Sequence, residues 1–539
     1  MDIKRLEKKI HDFIYDLETE DRLNRVGLKE KSELAKVFKK YKKLFTKQNL
    51  ESLKEESSRQ ARTIKYSSSD PAKPESREVQ PDIPNRLYYT LAGSYIGLTT
   101  AADEDKIKTY FAKAKAAADG KTVSYFQLAP MLAKEEDFHK RELLDNAATP
   151  IVFKVNPKQL ALLRKEIEII KGLGYKSYID YFSKAKKMDY DKFYKVAGQI
   201  RKETDKRWEK VINKVAEEVL GHPYGNLRAC HLVYLRSISM FDKYYPRAKV
   251  VPVFRKFARD LGCADLLPKI KIDDVDRPAK NPRAVCYWPD PPGEIHLVIK
   301  PIGGEQDFEA ALHEGGHALH GASVDRNLPY SLKALSYSNA LTETYAFVLE
   351  DLVFDSDWLS HYLSTPPDVA KKIYWQATFV NLMMLRRYLG KFSYEYQLFS
   401  LPPVIPAQAG IKHKKILDQV MTVSHIESVE NDSFVNGPKL YAKNLYNTTG
   451  FITKEANWLS DMDSGFYSAD YLRAWIGAAQ IKDYLVKKFG RKWFLDKRAG
   501  KFLRDLWSRG VQDEIEDVVG RLGYKPLDVS YLVDGYKRL

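Results

Sequence analysis

The residues best placed to do chemistry lie in one short stretch, Phe308-Glu-Ala-Ala-Leu-His313-Glu314-Gly315-Gly316-His317-Ala-Leu-His320, which contains H-E-x-x-H. On a helix His313 and His317 are four residues apart and share a face. Two imidazoles so placed can hold one Zn²⁺, with Glu314 beside them as general base. Phe308, Ala311, Leu312 and Leu319 give that helix a core-facing side. Gly315 and Gly316 each cost roughly 1 kcal/mol relative to alanine inside a helix. They are expected where the backbone must pass close to a metal or a substrate. The chain has 11 histidines in 539 residues, so a chance pair at this spacing around a glutamate is rare.

A catalytic zinc site needs a third protein ligand and one open position. The extended pattern H-E-x-x-H-x-x-G-x-x-H fails here, because Ser323 stands where its third histidine would be. The alternative is a carboxylate on a following helix. Leu341 to Leu352 has helical apolar periodicity and carries Glu343, 26 positions after His317, which is room for a loop and a return helix.

These motifs resemble the zinc metallopeptidases of the thimet oligopeptidase and oligoendopeptidase F type. The metal helix of that family is similar to His313-Glu-Gly-Gly-His-Ala-Leu-His, and its third ligand is followed seven residues later by a second glutamate, as Glu343 is by Glu350. The stretch Asp276-Arg277-Pro278 to Arg283-Ala-Val-Cys286 and the pair Gly303-Gly304 also resemble a divergent bacterial and archaeal branch. The likeness covers residues 270 to 355, with a weaker echo at 464 to 480.

The resemblance implies a mainly α, two-lobed metallopeptidase. It implies a deep channel that admits short unstructured peptides, and a small β-sheet beside the zinc helix. It implies one Zn²⁺ per chain held by His313, His317 and Glu343. Glu350, two turns from Glu343, is a candidate to orient a histidine ligand from behind, although a surface carboxylate is the plainer reading of it. The run Glu294 to Lys300 alternates as a strand, and in such peptidases a strand here offers a free edge to substrate, which makes Ile295 and Leu297 candidate substrate contacts. An ordinary structural hairpin reads the same way.

Tyr467, Tyr471 and Trp475 share a helix face, as a core aromatic stripe also would. The resemblance assigns Tyr471, and after it Tyr467, to hydrogen bonding of the tetrahedral oxyanion. The family's usual histidine and last tyrosine fall near Met462 and Ala474 and are missing, so Arg473 is a candidate to contribute.

The elements that must position these groups read as follows. Residues 1 to 80 form a charged helical extension and linker, separated by a polar, proline-bearing stretch at 67 to 84 and expected to be dispensable for the chemistry. Residues 81 to 539 form the peptidase unit, with an N-terminal helical lobe over 81–260 and a catalytic lobe over 261–539. Leu160 to Ile170 marks one long amphipathic helix, and Lys206 to Leu220 another, stopped by Gly221-His222-Pro223. His222 and His231 are isolated and are not expected to be ligands. The proline-rich run from Leu401 to Lys415 looks like a surface insertion and resembles the translated product of a mobile genomic repeat; neither it nor His413 is given any chemistry.

Composition bounds the alternatives. Hydrophobic residues make up 44% of the chain and aromatic residues 12%, as in a folded globular protein. No apolar run reaches the roughly 18 residues of a membrane span, and the charged N-terminus lacks a signal core. Cys230, Cys263 and Cys286 are too few and too scattered for a disulfide framework. A cytoplasmic location follows as an expectation. The net charge of +16 suits an acidic peptide or nucleic acid, or simply a solvated surface; acids and bases are interspersed and no nucleic-acid motif accompanies them, which favours the surface. The competing functions are a related helical metallocarboxypeptidase, whose His-Pro-Phe signature is missing, and a basic peptide- or nucleic-acid-binding protein with a vestigial metal site. The intact Glu314 argues against the second.

Overall fold

The computed structural model describes residues 2–67, 82–118, 120–400 and 434–539. The expected insertion at 401–415, with His413, lies outside them, as does most of the expected linker. Three helices open the chain: α1 (Ile3–Arg25), α2 (Leu34–Lys40) and α3 (Lys47–Ser67). After α4 (Ile83–Lys113) comes a hairpin that sequence periodicity does not reveal, β1 (Lys115–Ala118) with β2 (Lys121–Ser124). Then follow α5 (Tyr125–Lys134), α6 (Phe138–Gly172), α7 (Tyr178–Ala185), α8 (Tyr190–Val215), α9 (Ala229–Leu235) and α10 (Val250–Asp260). The helix expected from Lys206 therefore begins at Tyr190, where Asp189 accepts the Lys192 N–H as its cap.

Three strands precede the histidine helix: β3 (Ile270–Asp273), β4 (Val285–Asp290) and β5 (Glu294–Val298). The remaining helices used below are α11 (Glu305–Ser323), α12 (Tyr330–Ala334), α13 (Ala340–Glu350), α14 (Ser356–Leu363), α15 (Pro367–Ser400), α16 (Gly437–Thr449) and α17 (Tyr467–Phe489). The architecture is mainly α with a small sheet beside α11. Two large apolar cores and a smaller one fill it. The first is built on α1 to α4, α6 to α9, α15, α16 and the start of α17; the second on α10, the sheet, α11, α13, α14 and the rest of α17; the small one on α5 and the β1–β2 hairpin. The division expected at residue 260 thus falls earlier, because Val253, Phe254 and Phe257 of α10 pack into the second core. Nor is the second core continuous in sequence, since α15 returns to the first.

Two further expectations are corrected here. In the sheet the order is β3-β5-β4, with β5 parallel to β3 and antiparallel to β4. The central strand has no free edge, and Ile295 and Leu297 are fully buried core residues rather than substrate contacts. The open edge on this side belongs to β4.

The second correction concerns the N-terminal helices. Leu6, Ile10 and Phe13 of α1 are buried in the first core, and Phe13 is ringed by Phe38, Tyr41 and Phe45 at centroid distances of 5.1–5.5 Å. The other side of α1 covers the sheet: Val26 packs with Val285, Tyr287 and Val298, and the Tyr287 hydroxyl donates to Asp21 at 2.5 Å. Tyr15 donates to Glu294 at 3.0 Å and Arg277 to the Val26 carbonyl at 2.6 Å. A small sheet is stable only when its apolar surface is buried against other elements. α11 supplies one cover and α1 the other, so α1 is a layer of the same folded body as the sheet and α11. A truncation beginning at Asn85 is expected to be insoluble or to lose its cooperative thermal transition. A soluble truncation melting like the full chain would show that the α1 layer is dispensable.

Candidate active site

α11 is set by its N-terminus. Gly304, at φ 105°, turns the chain into the helix, and the Asp242 carboxylate receives the Glu305 N–H at 3.0 Å. A side chain at Gly304 would meet that carboxylate at 2.7 Å. Asp307 accepts the N–H groups of Ile302 and Gly303. From there Phe308, Ala311, Leu312, Ala318, Leu319 and Ala322 face the second core, as expected.

Gly315 and Gly316 have a different purpose from the one expected. A Cβ on Gly315 would lie 2.3 Å from the Phe254 ring, and one on Gly316 would lie 2.9 Å from the Cα of Ala346. The glycines let α10 and α13 come close; they are packing positions, not points of approach for a ligand. Contacts between His320 and Tyr345, Gly316 and Ala346, and His313 and Glu350 show α11 and α13 running antiparallel.

That approach brings His313, His317 and Glu343 together, with one ligand atom from each lying within 4.8 Å of the others. The two imidazole centroids are 4.9 Å apart. His313 Nε2 is 3.4 Å from Glu343 Oε2, and its Nδ1 is 2.6 Å from Glu350 Oε2. Burial pulls the His313 imidazole down, but Glu343 and Glu350 outweigh it and hold it well above its ordinary value. Burial pushes Glu343 up, yet the adjoining His313 and His317 imidazoles, with the Tyr467 hydroxyl, carry it down to about 2. Burial lowers His317 and raises Glu350.

Glu343 Oε1 accepts the Tyr467 hydroxyl at 2.8 Å. Its Oε2 is buried and has no hydrogen-bond partner among the described residues. A buried carboxylate oxygen without a donor is expensive, and here it points at two imidazoles. A cation between the three groups would resolve it. Two imidazole nitrogens and one carboxylate oxygen form a donor set that suits Zn²⁺. Glu350 behind His313 matches the way a carboxylate fixes a ligating imidazole and leaves its other nitrogen for the metal. Glu314 is half-buried and acts electrostatically on His317 and on Cys286.

The tyrosines divide their roles. Tyr467 is engaged by Glu343. Tyr471 lines a cavity of about 780 Å³, together with His313, Glu309, Phe347, Tyr388 and Trp475. Both are placed by an unusual turn: Gly465 (φ 66°) and Phe466 (φ 58°) are consecutive left-handed residues at the head of α17. The Tyr178 hydroxyl receives the Gly465 N–H at 2.8 Å, and buried Glu395 accepts Ser468 Oγ at 2.5 Å and the Asp463 N–H at 2.8 Å. A Cβ on Gly465 would press on Phe182 at 2.7 Å. The turn is held from both sides, which is how backbone strain persists near a site.

Arg473 does not reach the site. Its guanidinium is buried and spent on Glu516 (2.7 and 2.9 Å), Glu514 (3.3 Å) and Ser338 Oγ (2.9 Å). It ties α17 to the loop that starts α13 and so steadies Glu343 indirectly. Ala474 is fully buried, with its carbonyl accepting Thr344 Oγ1 at 3.3 Å. A tyrosine side chain has no room there. Sequence reasoning missed Tyr388, 5.3 Å from the Tyr471 ring, because it sits in a long helix without a motif. It also missed Glu309, although a carboxylate one turn before His313 on the same face was visible in the spacing.

No protein-family model and no curated protein matches the sequence. Solved structures do share the fold. A structure described as an oligoendopeptidase F from Bacillus anthracis str. Ames superposes with a TM-score of 0.54 at 13% identity, over 85% of this chain and 77% of that one. A structure of PZ peptidase A with an inhibitor gives a TM-score of 0.57 at 12% identity, over 84% of this chain and 78% of that one. At such identities the likeness is one of fold: this chain has the mainly helical architecture of these two peptidases.

Proposed function

We propose that the chain is a zinc-dependent peptidase that hydrolyses short peptides. The observation that carries this reading is the buried Glu343 Oε2, without a hydrogen-bond donor and facing His313 and His317, with Glu350 behind one imidazole and Glu314 beside the other. The fold shared with two helical peptidases supports it. His313, His317 and Glu343 would hold the ion, which when bound acidifies a water to a pKa of about 7 and polarises a peptide carbonyl.

The remaining chemistry belongs to the side chains. Glu350 accepts the His313 Nδ1–H and so presents Nε2. Glu314 takes the proton of the attacking water and returns it to the leaving amine. Tyr471, on the cavity wall, donates a hydrogen bond to the carbonyl oxygen as its negative charge develops. Tyr467 holds Glu343 in place by its 2.8 Å hydrogen bond. A cavity of about 780 Å³ suits an extended peptide rather than a folded protein.

The purified protein is expected to carry one zinc per chain, lost in His313→Ala and in His317→Ala; full occupancy in both variants would refute the site. Glu314→Gln should retain zinc and lose about 10²- to 10⁴-fold in turnover of a quenched peptide, because the amide cannot accept the proton. Tyr471→Phe should lower kcat by about 10²- to 10³-fold with KM little changed; an unchanged kcat would return this tyrosine to the aromatic stripe.

Gly316→Ala tests the helix approach itself. Its methyl must displace the Ala346 backbone, so zinc affinity should fall, whereas Gly93→Ala, with nothing within 4 Å, should leave zinc bound. Equal zinc affinity in the two variants would mean that the α11–α13 distance does not set the site.

A further inference from the structure

α17 joins the two large cores, and its two tyrosines stand at the end that belongs to the first. Phe466, Ala469 and Leu472 pack into the first core; Ala474, Ala478 and Ile481 pack into the second, which also holds α11 and α13. The head of the helix is a turn that a large side chain adopts only under constraint, since Phe466 is left-handed at φ 58° directly after Gly465 at φ 66°. The Phe466 ring is enclosed by Tyr190 at 4.3 Å, Phe399 at 5.6 Å and Tyr178 at 5.8 Å. All three come from helices of the first core. Apolar packing has no preferred direction, so the course of the backbone through the turn is left to hydrogen bonds.

Glu395 of α15 supplies two of them. Its Oε1 accepts the Asp463 N–H at 2.8 Å, before the turn, and its Oε2 accepts the Ser468 hydroxyl at 2.5 Å, after it. One carboxyl group thus brackets the left-handed pair. Ser468 follows Tyr467 directly and stands three residues before Tyr471. Glu395 is fully buried, and among the described residues no ion pair neutralises it. Lys391 and Arg387, one and two turns earlier on the same helix, are engaged by Asp461, and Lys391 lies 2.9 Å from the Asp463 carboxylate as well. Burial pushes the Glu395 carboxyl up, and the Asp463 charge adds to the rise. A buried acid without a cation is costly where a packed apolar residue would serve. What it provides is the bracket, and the bracket survives protonation: a neutral carboxyl accepts the Asp463 N–H with one oxygen and donates to Ser468 Oγ with the other.

We propose that Glu395 is a positioning residue for the hydrolysis: by holding both ends of the Gly465–Phe466 turn it sets the rotation of the head of α17 and so aims the Tyr471 hydroxyl at the peptide carbonyl oxygen. Tyr467 has an anchor of its own in Glu343. Tyr471, one turn further on, is aimed by the helix that carries it. The metal-site residues stand on α11 and α13, so the oxyanion donor is set from the core that holds none of them. This inference rests on the peptidase reading and adds to it how the donor is held. Loss of the bracket misplaces the hydroxyl without removing it and without touching the metal site, and a misplacement of about 1 Å can cost on the order of 10²-fold in rate.

The test uses the zinc-loaded full-length protein, with kcat and KM measured on a quenched peptide and zinc content and thermal midpoint measured for each variant. Glu395→Ala should retain zinc and lower kcat by about 10- to 10²-fold with KM little changed. Glu395→Gln should recover most of that loss, because the amide accepts the Asp463 N–H and donates to Ser468 Oγ. Glu395→Ala combined with Tyr471→Phe should be no slower than Tyr471→Phe alone, since no hydroxyl is left to aim; a residue that only stabilised the fold would add its loss to that of Tyr471→Phe. Ser468→Ala removes one of the two bonds and should lower kcat in the same way by a smaller factor. If Glu395→Ala is insoluble, Ser468→Ala decides the matter, alone and with Tyr471→Phe. An unchanged kcat in Glu395→Ala or Ser468→Ala, a glutamine variant as slow as the alanine one, or losses that multiply in the double variants would each overturn the proposal while leaving the peptidase reading intact. Failure of the wild-type protein to hydrolyse any peptide would instead overturn the peptidase reading, and this inference with it.

Discussion

The site depends on one close contact, the passage of α11 over α13 at Gly316 and Ala346. Side chains on two helices can share an ion only if the helix axes are near enough for short carboxylates and imidazoles to meet. A methyl group at position 316 would stand 2.9 Å from the Ala346 Cα. Its absence lets Glu343 come within 3.4 Å of His313. Helical propensity alone disfavours this glycine; the tertiary contact overrides it. The neighbouring Gly315 does the same for α10, whose Phe254 fills the space a side chain would take.

Other elements keep that contact in register. Arg473 binds the loop before α13 from the side of α17, and Thr344 reaches the Ala474 carbonyl of the same helix. The sheet backs α11, with Trp288 lying against Gly321 at 2.6 Å from where its Cβ would be. α1 in turn backs the sheet. The result is a stack, α1 on sheet on α11 on α13 on α17, in which each layer buries apolar surface of the next. Charge is gathered in its centre: Glu343 is buried, and Glu350, His313 and His317 are half-buried beside it. Such groups are tolerated only when paired or when coordinating a cation, and Glu343 Oε2 has the His313 imidazole 3.4 Å away but no hydrogen-bond partner among the described residues.

The parts of this arrangement legible in the sequence were those written as helical spacing. His313, Glu314 and His317 are consecutive enough for periodicity to place them on one face, and Glu343 and Glu350 fall two turns apart on the next amphipathic segment. What local spacing cannot encode is who the neighbours are. Glu294 to Lys300 reads as a strand, but strand order is a tertiary fact, and Ile295 and Leu297 proved central and buried. The stripe of Leu6, Ile10 and Phe13 announced a helix, yet its attachment runs through Tyr15 and Asp21 to partners 279 and 266 positions away. The two glycines were rightly read as sites of close approach and wrongly matched to a ligand. Arg473 looked like a substitute for missing catalytic groups because its acidic partners lie some 40 residues further on, at Glu514 and Glu516.

The central claim is that three side chains from two touching helices form one metal centre. X-ray absorption at the zinc edge, on the zinc-loaded full-length protein, tests it most directly. The account predicts a shell of nitrogen and oxygen only at about 2.0–2.2 Å, with the outer-shell signature of two imidazoles. A sulfur scatterer at about 2.3 Å, which would bring Cys286 into the site, or a shell with fewer than two imidazoles, would contradict it.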